Sequence, residues 1–351
     1  MPEQVKIGVV GTSWWADMMF LPILAGYERA KLSAICGRNR ARAEEMAAKY
    51  AVPQVFTDYR QMIEQGDLDA VVIATPDDTH YEITMAALEA GVHVLCDKPV
   101  ALNASHAREM YEKAEAARLK HMVMYTWHWL PTIQRAKQMV DQGYLGDIYH
   151  GSFQWFHSFG RSREYQWRWD ADHSNGVASE LGSHLIHIAQ WMLGDITAVS
   201  ARLGFHIQRN GLEGKPLKPA NDSARMILEF KNGAQADLEV SGVSHWIHGE
   251  KLGFVLHGER GTLESASESA AERRIYLHAG QDSSKEIVSE EQVLDHVDYF
   301  KTHPVGPRLF VDAILDDKPI YPGLYEGYKV QQVIDAAMES HRTGCRVNIT
   351  P

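Results

Sequence analysis

The sequence predicts an α/β protein: an N-terminal Rossmann-type, doubly wound parallel sheet, then a C-terminal α/β domain on a large, open, mostly antiparallel sheet. Three observations predict it. Over residues 1–125 short apolar runs alternate with helix-like segments, as parallel strands joined by helical crossovers require. A glycine-bearing turn, Gly11-Thr-Ser13-Trp14-Trp15-Ala16, follows the first of those runs. From residue 126 the texture changes to longer alternating stretches, the pattern of strands with one solvated face.

Taken in order, six strands are expected in the first part: Lys6 to Val10, Lys31 to Cys36, a short one near Val55, Asp69 to Ala74, His93 to Cys96, and Met122 to Tyr125. The run Ala70 to Ala74 has no polar residue, as a strand covered on both faces should. After it, Thr79 and Glu82 have capping-box spacing, and Gly91 closes the same helix. In the second part strands are expected at Tyr149 to His157, Thr197 to Gln208, Ala224 to Phe230, Ala234 to Ser241 and Leu252 to His257. Asn232-Gly233 is a hairpin signal between two of them. A last helix near Tyr325 to His341 ends at Gly344.

With 351 residues the chain exceeds the size at which one core stops growing, so two domains are expected, 1–125 and 126–351. The final helix and tail, about 325–351, form a segment that can pack back on the first domain. A formal charge of −11 repels phosphate backbones and argues against nucleic acid as a partner. No apolar run reaches the ~18 residues of a membrane-spanning helix, and the start lacks the features of a signal peptide. Cys36, Cys96 and Cys345 are odd in number and far apart, which fits a reducing, cytoplasmic setting better than a disulfide framework.

The turn at Gly11 has the spacing of a dinucleotide fingerprint with Ser13 at the second glycine and Ala16 at the third. Gly11 permits the tight turn, Ala16 permits close helix-strand packing, and the helix N-terminal amides that follow attract a pyrophosphate. Taken alone, the same spacing also fits a strand-to-helix turn with no ligand. At the end of the second strand, Cys36-Gly37-Arg38-Asn39-Arg40 carries no acid for a ribose 2′-hydroxyl. Arg38, with Arg40 or Arg42 nearby, suits a 2′-phosphate, which points to NADP ahead of NAD; the alternative is that these arginines form a solvated helix start.

The run Thr75-Pro76-Asp-Asp-Thr-His80, continued by Gly91-Val-His-Val-Leu-Cys96-Asp97-Lys98-Pro99, resembles the glucose-fructose oxidoreductase/inositol dehydrogenase/MocA (Gfo/Idh/MocA) family. The resemblance recurs at Gly182-Ser-His184-Leu-Ile, Gly258-Glu-Arg-Gly261-Thr-Leu, and Phe310-Val-Asp-Ala-Ile-Leu with Pro319, Pro322 and Gly327. It implies a nicotinamide cofactor and oxidation or reduction of a sugar, cyclitol or related carbonyl. It also implies a homo-oligomer, dimer or tetramer, for which the C-terminal sheet is the natural surface.

The family's lysine maps onto Lys98 and its histidine onto His184. An ammonium beside the nicotinamide stabilises a developing alkoxide, and an imidazole takes the hydroxyl proton. The family has Glu where this chain has Asp97. It commonly has Asp four before and three after the histidine, where this chain has Glu180 and His187. Glu180, His184 and His187 are spaced to share one helical face, so Glu180 is expected to orient His184. Three ligands on one straight helix converge poorly on a metal, so none is expected.

The cofactor set is thus Gly11, Ser13, Trp14, Trp15, Arg38, Thr75, Pro76, His80, Asp97 and Lys98, and the catalytic set Lys98, His184 and Glu180. Candidate substrate residues are His128, Trp155, Trp167, Arg168 and His187, in a stretch whose aromatics suit stacking on a sugar ring or, equally, a hydrophobic core. Two other activities use the same machinery or less of it: glycosidic cleavage through transient oxidation by a retained NAD, and a nucleotide-binding sensor without catalysis.

Overall fold

The computed structural model describes residues 4–212, 215–246, 250–269, 272–278, 284–289 and 296–350. They fall into two compact units: Met1–Tyr125 with Leu294–Lys329, and Thr126–Val293 with Val330–Pro351.

The first unit holds six parallel strands, β1 (Val5–Val10), β2 (Ala30–Cys36), β3 (Gln54–Phe56), β4 (Ala70–Ile73), β5 (His93–Asp97) and β6 (His121–Met124), in the order β3-β2-β1-β4-β5-β6. The order reverses between β1 and β4, which places a crevice at their carboxyl ends, where open α/β sheets take their ligands. All four residues of β4 are fully buried, which explains its unbroken apolar run. A π-helical turn, Ala16–Phe20, leads into α1 (Leu21–Ala25).

The other crossovers are α2 (Arg40–Tyr50), α3 (Tyr59–Gln65), α4 (His80–Glu89) and α5 (Ala104–Ala116). Asn39, Asp58 and Asn103 cap α2, α3 and α5, each side chain accepting from a first-turn amide. The expected capping box on α4 does not form. A 3₁₀ turn, Asp77–Thr79, precedes the helix, and the Thr79 hydroxyl lies 2.8 Å from both the Thr75 hydroxyl and the Pro76 carbonyl. Gly91 does close the helix, at φ 76°.

The second unit opens with α6 (Pro131–Asp141) and β7 (Ile148–His157), followed by α7 (Val177–Glu180) and α8 (Gly182–Leu193). Strands β8 (Ile196–Gly204), β9 (Ser223–Phe230), β10 (Gln235–Ser241), β11 (Glu250–Gly258), β12 (Thr262–Ser269), β13 (Glu272–His278) and β14 (Ser284–Ser289) follow. After α9 (His296–Thr302) and α10 (Pro307–Leu315) of the first unit, α11 (Leu324–Thr343) and β15 (Val347–Asn348) end the chain.

The second sheet runs β14-β13-β12-β11-β7-β10-β9-β8-β15 and is antiparallel except for β7 beside β10. Leu185, Ile188 and Met192 are buried, as is Leu181 just before the helix, so α8 presents an apolar stripe to the core. The hairpin at Asn232-Gly233 is present, with Gly233 at φ 90° and the Asn232 side chain accepting from Ala234 N at 3.1 Å. The strand expected to run to Gln208 stops at Gly204. Beyond it the amides of His206 and Ile207 donate to the Asp222 carboxylate at 2.9–3.1 Å, which draws the chain out of the ladder.

Candidate active site

In the first unit the glycine turn is built for close backbone approach. Gly11 sits at φ 125° with its N–H on the Cys36 carbonyl at 2.9 Å, and a Cβ there would lie 2.2 Å from the Ala74 carbonyl oxygen. No side chain fits, so the backbone stays bare where a pyrophosphate would approach. The Ser13 hydroxyl accepts from Ala16 N at 3.3 Å and keeps its own proton for donation. Trp14 is 63% exposed and lines, with Asp17, Met18, Pro22, Arg42 and Tyr50, a cleft of about 420 Å³ on the flank of the helix. Trp15 meets it edge-on at 5.5 Å.

Of the three arginines after β2, two are engaged. Arg40 pairs with Glu44 at 2.9 Å, and Arg42 with Glu45 at 2.7 Å and Asp17 at 3.4 Å. Lys49 and the Tyr50 hydroxyl also reach Asp17, and the Lys49 hydrogen bond is the main cause of its lowered pKa. Arg38 is exposed and has no ion pair among the described residues.

At the exits of β4 and β5, Thr75 and Pro76 lie beside Asp97, Lys98 and Pro99. Asp97 Oδ1 accepts from the Lys98 amide at 2.9 Å, and Lys98 is 9% exposed. Between these exits His80 is buried, its Nδ1 2.6 Å from the Pro99 carbonyl and its Nε2 2.9 Å from the Thr75 carbonyl. Both ring nitrogens are thereby taken by backbone carbonyls. Burial alone would depress its pKa, but Cys96, the Pro99 carbonyl and Asp97 outweigh burial and raise it to about 9.

In the second unit, Glu180 and His184 do not share a continuous helix. Asn221 fixes the start of α7, its carbonyl accepting from Val177 N at 2.9 Å and its side chain from Ala178 N at 3.0 Å. The helix then breaks at Leu181, and α8 begins at Gly182. Glu180 and His184 thus lie on either side of a one-residue interruption at Leu181, which keeps helical backbone angles, while His184 and His187 share α8. His184 is buried, its ring 5.5 Å from Trp155 and 6.4 Å from Trp127. Trp155 donates its indole N–H to Glu250 at 3.0 Å.

His187 Nε2 lies 3.1 Å from His128 Nδ1, with the Trp191 ring 4.0 Å from His128. Burial is the first cause of depression for both, pushing His187 down to about 3 and His128 well below its usual value, so the pair is neutral at pH 7. The Arg168 guanidinium lies over the Trp167 ring at 4.9 Å and donates to Gln166. Trp169, by contrast, is core, 1% exposed. Among the described residues no group of three or more His, Cys, Asp or Glu could hold a metal ion, and no helix is long and apolar enough to cross a membrane.

Residues 5–125 match the model described as an oxidoreductase family with an NAD-binding Rossmann fold, and residues 137–349 match its C-terminal alpha/beta domain. The chain belongs to the Gfo/Idh/MocA oxidoreductase family. Levoglucosan dehydrogenase of Pseudarthrobacter phenanthrenivorans is 25% identical over 337 residues, covering 87% of this chain and 86% of the relative. D-glucoside 3-dehydrogenase of Escherichia coli is 25% identical over 368 residues, covering 98% and 97%. Among solved structures, levoglucosan dehydrogenase in complex with NADH superimposes with a TM-score of 0.89 at 22% identity, covering 99% of this chain and 100% of that one. This Gfo/Idh/MocA chain is therefore an oxidoreductase with an NAD-binding Rossmann domain.

One feature of this Gfo/Idh/MocA enzyme escaped sequence reasoning. Arg209 and Asp222, both almost wholly buried, form an ion pair at 3.5 Å, and Arg209 also lies over Trp169 at 4.4 Å and donates to the Gly160 and Ser162 carbonyls. The pair pins the loop that carries Trp167 and Arg168. Its two charges stand thirteen residues apart in a polar stretch, and no local pattern marks them as partners.

Proposed function

We propose that the enzyme moves a hydride between a nicotinamide and a secondary alcohol or ketone of a sugar or cyclitol, with Lys98 and His184 as its chemical groups. The observation that carries this reading is Lys98 itself, a largely buried ammonium at the exit of β5 whose backbone is held by Asp97 and whose neighbour Pro99 is held by His80. The named relatives act on levoglucosan and D-glucosides, which are secondary alcohols of this kind.

Gly11, Ser13 and the helix start at Trp14 and Trp15 would hold the pyrophosphate, because the bare turn fits one. Thr75, Pro76 and Lys98 would face the nicotinamide end. Bound nicotinamide supplies the hydride acceptor or donor. As the substrate is oxidised, the Lys98 ammonium offsets charge gathering on its oxygen, and His184 takes the hydroxyl proton; in reduction His184 returns it. Trp127 and Trp155 around His184 offer flat apolar surfaces to a sugar ring. Lys98→Met is expected to lower kcat by about a hundredfold or more while NAD(H) binding persists. A variant that turned over normally would end the proposal.

Within the same reading NADP is preferred over NAD. Support comes from the engagement of Arg40, Arg42 and Glu44 with one another or with Asp17 and Glu45, which leaves Arg38 as the cation at the end of β2. A charge-assisted bond to the 2′-phosphate is worth ~1.5–3 kcal/mol, roughly ten- to a hundredfold in Kd. Titration should show NADPH bound more tightly than NADH by that factor, with the difference lost in Arg38→Ala; tighter NADH binding would refute the preference.

A further inference from the structure

Strands β4 and β5 pair in parallel up to Ile73 opposite Cys96. Past that point the sheet ladder no longer ties together the segments that leave them, Thr75-Pro76 from one and Lys98-Pro99 from the other. His80 spans both. Its ring is 1% exposed, with Nδ1 2.6 Å from the Pro99 carbonyl oxygen and Nε2 2.9 Å from the Thr75 carbonyl oxygen.

Carbonyl oxygens only accept, so each contact requires an N–H on the ring. A neutral imidazole has one. It would set the lone pair of its other nitrogen against a carbonyl lone pair, inside the protein, with no water to relieve it. A ring that donates from both nitrogens satisfies both contacts and carries a positive charge. Two groups of β5, the Cys96 thiol and the Asp97 carboxylate, act on that charge favourably and offset its burial. No ring nitrogen is left to touch substrate or cofactor, so whatever His80 contributes passes through the segments it holds.

We propose that His80 is a positioning residue, a buried imidazolium that ties the β4 exit to the β5 exit and so fixes Lys98 relative to the Thr75-Pro76 segment. The inference rests on Lys98 being the charge-stabilising group of the proposed hydride transfer. Its consequence is that Lys98 depends for its placement on a fixed cation bonded to the next residue, Pro99, in addition to the Asp97 carboxylate that accepts from its own amide.

Two measurements test it on the full chain. The first needs no turnover: nitrogen-15 NMR of histidine-labelled protein at neutral pH, with the His80 ring assigned through its own backbone, should show a proton on both ring nitrogens. One protonated and one bare nitrogen overturns the proposal. The second reads kinetics of His80→Gln, alone and in the Lys98→Met background, with NADH affinity measured alongside. Displacement of Lys98 by about an ångström should lower kcat about a hundredfold, while KM and NADH affinity stay within about threefold. In the Lys98→Met background the same change should cost nothing further.

A residue that merely holds the fold would raise KM and weaken NADH binding together and would cost equally in both backgrounds; that result refutes positioning. Should His80→Gln not fold, the ring state of the unaltered protein decides alone, and a neutral ring refutes the proposal. Normal turnover by Lys98→Met would instead remove the reaction reading, and the NMR result would still stand or fall separately.

Discussion

Mild acid should weaken the second unit through its paired imidazoles. His128 and His187 share one hydrogen bond at 3.1 Å, with the proton on one ring and the lone pair on the other. A proton added to the accepting nitrogen sets two N–H groups face to face, and a second proton on either ring buries a charge. An unfolded histidine titrates near ~6.5. Folded His187 does so only near about 3, so on acidification the unfolded chain binds the proton first. The stability tied to the neutral ring is therefore full above the unfolded pKa and is lost as pH falls from there toward about 3.

From about pH 7.5 to about pH 5 the loss from His187 alone works out at ~2 kcal/mol. For a unit of this size that is roughly 4–8 °C in Tm. His128 is shifted in the same direction and shares the bond, so the pair loses at least the single-ring amount. His187→Gln keeps a polar atom near the Nε2 position and cannot take up the proton. Scanning calorimetry of both proteins at the two pH values, following the transition of the second unit, checks the argument. The wild type should lose ~2 kcal/mol more than the variant. Equal losses would refute the account of the pair as neutral and buried.

Two further outcomes are expected. In the first unit the sign is opposite: with a folded pKa of about 9, His80 contributes stability that is full below its unfolded pKa and is lost as pH rises through about 9. The contribution is on the order of 3 kcal/mol, and denaturant titration of wild type against His80→Gln at neutral and alkaline pH should show their difference shrinking as pH rises. Gly11→Ala places a methyl 2.2 Å from the Ala74 carbonyl oxygen in a backbone conformation that alanine rarely adopts. Its NAD(H) affinity, read by fluorescence titration, should fall at least about tenfold, and unchanged affinity would mean the dinucleotide does not use this turn.

The parallel sheet was legible because covered strands leave an unambiguous mark: Val5–Val10, Ala30–Cys36 and Ala70–Ile73 each lie within a residue of the runs that predict them. The part of the second sheet beyond β11 was not. Strand Thr262–Ser269 has the sequence TLESASES, whose apolar content is too low to announce a strand, and it is ordered by its ladder with Glu250–Gly258. The break between α7 and α8 was hidden for a different reason. The spacing from Glu180 to His184 is helical, but Asn221, forty-one residues on from Glu180, starts one short helix and Gly182 starts another, and no local pattern encodes that interruption.

The histidines make the same point about charge. His80 and His187 are both almost wholly buried, and burial acts against the charged form of each. What separates them is the partner: two backbone carbonyls can only be met by two N–H groups, whereas another imidazole is best met by sharing one proton. One ring is therefore held as a cation and the other as a neutral donor or acceptor, although the letters flanking them give no hint of the difference. If the charges were reversed, the first unit would weaken in acid and the second in base. The pH dependences of the two units thus test a single claim, that the atoms a buried imidazole faces decide its charge and burial alone does not.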